Sequence, residues 1–395
     1  RGYQPLPLRR IYIPKKNGKL RPLSIPTMAD RVQQALNLLT LEPISETLAD
    51  KNAYGFRPKR SCADAIEQCF KVLCRNNSAQ WILEGDIKSC FDKISHPWLL
   101  GNIPMDKLVL EKWLKAGYIE KTEFNPTHEG TPQGGIISPT LLVLTLTGLE
   151  QAVKAATGPK DKVNIIVYAD DFIITGASRE VLVNKVKPTV ISFLKQRGLT
   201  LSEEKTHITY VNDGFNFLGF NVRKYDGKLL IKPAKENVKI FLDKLRNVIK
   251  NSGSATTEVL IRQLNPKIRG WSNYYRHVVS KQTFSKVDHC IFKMLWQWIR
   301  RRHPNKGAQW RKQKYYRHNS LRDWVFFAKT RDKEDFTINL DLVEAAKVKI
   351  RRHLKIKGDA NPYDTEYDGY FDNRSGLKKG RCISVTREYR CQSTF

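Results

Sequence analysis

Tyr168-Ala169-Asp170-Asp171 lies between Val163-Asn164-Ile165-Ile166-Val167 and Phe172-Ile173-Ile174-Thr175. Both flanks are apolar and rich in β-branched residues, so they read as the two strands of a hairpin. Asp170 and Asp171 then sit at its tip. Adjacent carboxylates repel, and one takes up a proton unless a cation neutralises the pair. Mg²⁺, which favours carboxylate and phosphate oxygens, is suited to that task. An isolated Asp-Asp turn is commonly no more than a solvated turn. A second carboxylate motif upstream changes the reading.

That motif is Trp81-Ile82-Leu83-Glu84-Gly85-Asp86-Ile87-Lys88-Ser89-Cys90-Phe91-Asp92, a strand running into a polar turn with Asp86 at the strand end. Two strands thus deliver Asp86, Asp170 and Asp171, a candidate site for two metal ions. Ions about 3.5–4 Å apart stabilise the attacking and leaving oxygens of an in-line phosphoryl displacement. Asp92 reads as a helix N-terminal or structural acid.

The order of Asp86-Ile87-Lys88-Ser89-Cys90-Phe91-Asp92, Thr131-Pro132-Gln133-Gly134-Gly135-Ile136-Ile137-Ser138-Pro139 and Tyr168-Ala169-Asp170-Asp171 resembles a reverse-transcriptase palm. The fuller resemblance is to group II intron-encoded proteins, the reverse transcriptase/maturase family, over roughly residues 9 to 330. Ile13-Pro14-Lys15, Arg21-Pro22-Leu23-Ser24-Ile25-Pro26, Tyr54-Gly55-Phe56-Arg57-Pro58 and Gly270-Trp271-Ser272-Asn273-Tyr274-Tyr275-Arg276 look like its fingers and maturase signatures.

The resemblance implies an α+β right-hand polymerase. Fingers and palm with antiparallel sheet would occupy residues 1–230, and an α-helical thumb or maturase domain residues 231–330. A small basic DNA-binding region without a complete endonuclease would follow over 331–395. Asp86, Asp170 and Asp171 would be catalytic and hold two Mg²⁺, with the backbone carbonyl of Ile87 as a further ligand. Lys15, Arg21 and Lys205 would meet the triphosphate of the incoming nucleotide, and Gln133 would line its pocket. Phe91, five residues after Asp86, would be the steric gate that rejects a 2′-hydroxyl by clash. The implied function is RNA-directed DNA synthesis joined to maturase assistance of intron splicing, and copying of the intron during retrohoming. The implied partners are dNTPs, group II intron RNA and target DNA, in a cytoplasmic ribonucleoprotein of a bacterium or organelle. Two other classes share parts of this pattern: a stand-alone reverse transcriptase of defence or repair, and an RNA-binding splicing factor without polymerase activity. Relatives usually carry a further amino-terminal segment before the fingers, so a trimmed chain is expected.

Composition points the same way independently. The 395 residues carry 69 Lys plus Arg against 39 Asp plus Glu, a formal net charge of +30. A pI near 9.8 is the electrostatic footprint of a polyanion binder. Length suggests two or three domains, and no apolar run is long enough for a membrane span. No secretory signal opens the chain, so no membrane partner is expected. The seven cysteines, Cys62, Cys69, Cys74, Cys90, Cys290, Cys382 and Cys391, form no CxxC pair and read as reduced thiols.

Residues 9 to 26 read as two strands joined at Lys16-Asn17-Gly18-Lys19, a basic hairpin suited to cover a triphosphate. Helical periodicity covers 29 to 49 and 61 to 75, with Ser61 a plausible N-cap. It recurs near 105 to 117 and over 180 to 197, and Ser138-Pro139 opens another helix, with Ser138 as N-cap and Pro139 at the first helical position. From Lys232 the spacing predicts helices over 235–250, 256–265, 281–302 and 340–355. Lys293 to Arg331 holds twelve Lys or Arg against one acid, Asp323, with Trp296, Trp298, Trp310, Tyr315, Tyr316 and Trp324 interleaved. A solvated helix face would balance its signs; aromatics and guanidinium groups stack on exposed bases. The expected RNA contacts are Arg57, Arg269, Tyr274, Tyr275, Arg276, Arg300, Arg301, Arg302, Arg311 and Lys312.

Overall fold

A computed structural model describes residues 2–14, 18, 20–319, 322–331 and 335–376. Lys15, Lys16, Asn17, Lys19, Cys382 and Cys391 lie outside these. The chain divides into two compact units. One comprises the chain up to Phe215, Lys224–Leu229 and the segment from Leu354; the other comprises Asn216–Arg223 and Leu230–His353.

The first unit is built round a four-stranded antiparallel sheet. Its spatial order is Ile165–Tyr168, Asp171–Gly176, Trp81–Asp86, His207–Tyr210. The Ile, Val and Phe run that reads as hairpin strands is buried: Ile165, Ile166, Ile173 and Ile174 are at most 1% exposed. The strands pack with Leu83, Leu141, Leu149, Val186 and Leu194 in one apolar cluster. Helices Met28–Leu48, Cys62–Leu73 and Ser138–Leu146 surround the sheet sequence. Ser61 closes a capping box with Asp64, as its place before the helix suggests. Ser138 is instead the first helical residue and Ile137 the cap. A separate sheet pairs Leu8–Pro14 with Leu20–Ile25 antiparallel, the predicted basic hairpin, and extends through Tyr118–Glu120 to Glu123–Asn125.

The second unit is led by three long helices, Lys235–Asn251, Thr257–Tyr275 and Lys281–Arg302. Their apolar stripes meet: Leu245, Leu260, Leu264, Ile268, Phe284 and Val287 are fully buried. The middle helix runs ten residues beyond its predicted end at 265, passing through Pro266 and Gly270. Packing of Ile268, Ser272 and Tyr275 outweighs the two breakers. A further helix, Ala308–Tyr315, leads into strands Tyr316–Asn319, Arg322–Arg331 and Thr337–Asp341.

The expected helix over 340–355 is corrected. That stretch holds the end of the Thr337–Asp341 strand, a short 3₁₀ turn at Ala345–Lys347 and irregular chain. Its amides are captured from outside: Val343 N–H donates to Asn265 Oδ1, and Ala345 and Ala346 to the two Asp288 carboxylate oxygens. From Leu354 the chain packs onto the first unit. Ile356 and Ala360 are fully buried, and the Ile356 amide and Arg374 guanidinium both donate to Asp64 Oδ1.

Candidate active site

Tyr168 pairs with Asp171 across the hairpin, so Ala169 and Asp170 form a two-residue turn. Such turns need a left-handed first or both central residues. Ala169 supplies it with φ of +57°, at a cost of about 1–2 kcal/mol for a residue with a Cβ. The turn is held from the side by the Tyr54-Gly55-Phe56 loop. Tyr54 N–H donates to the Val167 carbonyl and Val167 N–H to the Asn52 carbonyl. Gly55 lies so close that a Cβ there would stand 2.2 Å from the Ala169 nitrogen. Only glycine permits that approach.

On the other side Asp171 is the cross-strand partner of Asp86. One residue earlier Gly85 faces Phe172, and a Cβ on Gly85 would meet the Phe172 ring at 2.3 Å. The register therefore brings all three carboxylates to one end of the sheet. Beyond Asp86 the chain is pinned: Ser202 N–H donates to the Asp86 carbonyl and Lys88 N–H to the Thr200 carbonyl, bracketing Ile87.

Charge is concentrated here. Burial raises the Asp170 carboxyl above its ordinary range, and the Asp86 charge adds to it; Arg21 and Lys205 oppose the rise. Burial and then the charges of Asp170 and Asp86 lift Asp171 to about 6, although its side chain reaches solvent at the mouth of the site. Lys205, on the 3₁₀ turn Glu203–Lys205, donates from Nζ to both Asp86 oxygens at 3.0 and 2.8 Å. That bond in turn raises the lysine's pKa.

Three carboxylates sharing one ammonium form a donor set that fits Mg²⁺. The raised Asp170 and Asp171 mark negative charge that a cation would relieve. In this conformation no three acidic, histidine or cysteine side chains among the described residues close round a single point. Asp86 is engaged by Lys205 instead.

Of the nucleotide-pocket candidates, Arg21 and Lys205 act on the carboxylates by charge, while Gln133 and Phe91 are held by neighbouring loops. Gln133 Nε2 donates to Asp92 Oδ2 at 3.2 Å, and the Gln133 carbonyl accepts from Ser24 N–H at 2.8 Å. This ties the loop to the strand that carries Arg21. Gly134 has φ of +123°, and a Cβ there would meet the Ser24 carbonyl oxygen at 2.9 Å. Thr131 N–H donates to the Phe91 carbonyl. Phe91 is half-buried and meets Phe56 edge-on, with ring centroids 6.0 Å apart. Phe56 was not among the expected site residues. Its signal is an aromatic beside a tightly packed glycine, at φ of +59°.

Two expected RNA contacts are corrected, because their polar atoms are spent inside the protein. Arg57 is 6% exposed: Nε and Nη2 donate to the two Glu46 carboxylate oxygens, and Nη1 to the Asp50 and Ala53 carbonyls. Tyr275 is 2% exposed, and its hydroxyl donates to the Gly219 carbonyl. Tyr274 is half-buried with its hydroxyl on the Leu218 carbonyl. Trp271 stacks on Phe241 at 4.6 Å. Arg269, Arg300, Arg301 and Arg302 are exposed; Arg276, Arg311 and Lys312 are half-buried. Arg302 also donates to the Ala255 carbonyl and Arg311 to the His303 carbonyl.

The family described as "Reverse transcriptase (RNA-dependent DNA polymerase)" matches residues 13–222. "Group II intron, maturase-specific domain" matches residues 238–316. Among curated relatives, Protein YkfC of Escherichia coli is 37% identical over 257 residues, covering 55% of this chain and 67% of its own. The group II intron-encoded protein LtrA of Lactococcus lactis subsp. cremoris is 30% identical over 369 residues, 69% of this chain and 61% of its own length. An uncharacterized 91 kDa protein in the cob intron of Schizosaccharomyces pombe is 26% identical, over 73% of this chain and 45% of its own. With its polymerase and maturase segments in that order, the chain belongs to the reverse transcriptases, RNA-directed DNA polymerases, and among them to the group II intron-encoded kind.

Proposed function

We propose that Asp86, Asp170 and Asp171 form the polymerase centre, with the Ile87 carbonyl beside them, and that two Mg²⁺ bind there. The observation that carries this is the cross-strand pairing of Asp86 with Asp171, one residue from Asp170. Bound metal would lower the pKa of a primer 3′-hydroxyl and offset the charge of triphosphate and pyrophosphate. The chain's own residues do the rest. Arg21 and Lys205 supply positive charge for the triphosphate, and Lys15 belongs to the same proposal. Lys205 must exchange Asp86 for phosphate oxygens as the metal-bound state forms. Gln133 is held by Asp92 in position to line the nucleotide pocket. Phe91, backed by Phe56, closes the space a 2′-hydroxyl would need.

The second unit carries the maturase-specific domain. We propose that its exposed basic residues, Arg269, Arg300, Arg301 and Arg302 with Arg276, Arg311 and Lys312, bind group II intron RNA. By screening phosphate repulsion they would assist splicing, after which the polymerase copies the intron into DNA at a target DNA site. The residue divisions 1–230, 231–330 and 331–395 remain the proposed functional boundaries. No helix of the described residues is long and apolar enough to cross a membrane, and a ribonucleoprotein location follows from the proposed RNA partner.

The test is to recover the protein from its host under mild salt and sequence the RNA bound to it. One dominant structured intron RNA is the expected result. A diffuse RNA mixture, with robust primer extension in Mg²⁺, would replace the maturase role with that of a stand-alone polymerase.

A further inference from the structure

A cavity of about 410 Å³ opens in the second unit between the Ala308–Tyr315 helix and the strands that follow it. That volume lies within the ~300–1,000 Å³ range of sites that enclose a small organic molecule. Trp324 forms one wall. It has φ of +72°, a left-handed backbone that is a true outlier for so bulky a residue. Strain of this kind persists only where the surroundings enforce it, and it clusters at ligand sites. The enforcement is visible: Trp296, Phe292 and Tyr316 meet the indole edge-on at 5.8, 5.8 and 5.4 Å. Despite three aromatic neighbours, Trp324 remains 38% exposed.

Tyr316 provides an independent observation. It lines the same cavity and is only 5% exposed, yet its hydroxyl is buried without a hydrogen-bond partner. An unmet buried hydroxyl costs roughly as much as a lost hydrogen bond, so it calls for a partner. The Lys312 ammonium lies over the Trp324 ring, 4.7 Å from its centre, so a flat group stacking on that face takes the ammonium's place. Gln313, also on the lining, offers an amide that both donates and accepts.

We propose that this cavity takes one unpaired nucleobase of single-stranded RNA, which displaces Lys312 from the face of Trp324, stacks there, and is hydrogen-bonded at its edge by Gln313 and by the Tyr316 hydroxyl as the lining opens to it. Lys312 meets the adjoining phosphate. A flat aromatic wall, a waiting hydroxyl, an amide and a cation are the groups that recognise a splayed-out base. A paired base inside a duplex cannot enter. The choice of RNA rests on the proposed role of the second unit, whereas the aromatic pocket itself does not.

The test uses the full chain and an unstructured oligoribonucleotide carrying one 2-aminopurine. Binding is expected to quench the 2-aminopurine by stacking. Trp324→Ala should abolish the quench and weaken binding about tenfold, the loss of one stacked base. Tyr316→Phe, which keeps the ring and its packing and removes the unmet hydroxyl, should weaken binding severalfold with a melting temperature equal to or above that of the unaltered protein. The Trp324→Ala loss should persist at raised salt, while that of Lys312→Gln should fade. Unchanged affinity and quench in both Trp324→Ala and Tyr316→Phe would overturn the pocket. So would a duplex that binds as tightly and depends equally on Trp324. If the wild-type protein binds no RNA but quenches free 2-aminopurine riboside through Trp324, the RNA role of the unit fails and the RNA assignment with it, though a base pocket is present. Primer extension by Trp324→Ala and Tyr316→Phe reports separately on the Asp86 centre and should not change.

Discussion

Asp171 carries the clearest consequence at the scale of one residue. Folding lifts its carboxyl from an ordinary 3.8 to about 6, first through burial and then through Asp170 and Asp86. Between those values the folded protein holds a proton that the unfolded chain has released. Stability of the metal-free protein therefore falls as pH rises through that window, and the cost is fully present above it. Discounted for the side chain's contact with solvent, the cost is about 1 kcal/mol. Asp171→Asn should accordingly raise the melting temperature of metal-free protein by about 1–2 °C at pH 7.5. The gain should shrink toward zero as pH approaches 4, and thermal melts across pH in EDTA would show it. The same variant should lose DNA synthesis, a stabilising change that removes function. Mg²⁺ binding by the unaltered protein should weaken as pH drops through 6, since the proton competes with the ion.

The hairpin that carries Asp170 and Asp171 depends, as an element, on neighbours far away in sequence. Gly55→Ala forces a Cβ onto the Ala169 nitrogen, a backbone atom that cannot swing aside. The turn must shift, and a shift near 1 Å in a positioned catalytic group costs on the order of 100-fold in rate. Primer extension should fall by about that factor while oligoribonucleotide binding is retained. The adjoining Arg57–Glu46 pair is buried on both sides, with side chains 2% and 1% exposed. Arg57→Met leaves the buried Glu46 carboxylate with only the longer contact to Arg60 at 3.7 Å, at a cost of roughly 3 kcal/mol. Adding Glu46→Leu should recover only part of that loss, because buried Arg60 then loses its Glu46 contact, and a double-mutant cycle by urea unfolding would reveal it. No recovery would mean that the pair does not act as a unit.

These elements also show what the sequence disclosed and where it fell silent. The hairpin and the Asp86 strand were legible because buried β-branched runs end in carboxylates whose repulsion demands an explanation. The Tyr54-Gly55-Phe56 loop was legible as a motif but not as a buttress, since its partner Val167 lies more than a hundred residues away. Arg57 looked like an exposed cation because Glu46, which neutralises it, belongs to the preceding helix. Residues 340–355 have the composition of a helix, but Asp288 and Asn265 claim their amides, and no local pattern announces that. Trp324 could be noticed as an aromatic in a basic window; its left-handed backbone could not.

Across the whole molecule, the maturase-specific segment lies in one of two compact units of a strongly basic chain, and the three carboxylates lie in the other. Of the described residues, 335–353 fold with the helical unit and 354–376 with the sheet unit. The carboxylates all lie in the sheet unit, so removing one should leave RNA binding by the helical unit untouched. The decisive measurement is primer extension on an RNA template with dNTPs and Mg²⁺, run beside RNA binding, for the unaltered protein and Asp170→Asn. DNA synthesis that falls to background with RNA affinity unchanged is the predicted result. Continued synthesis by Asp170→Asn, or loss of synthesis and RNA binding together, would contradict the assignment of Asp170 to the polymerase centre.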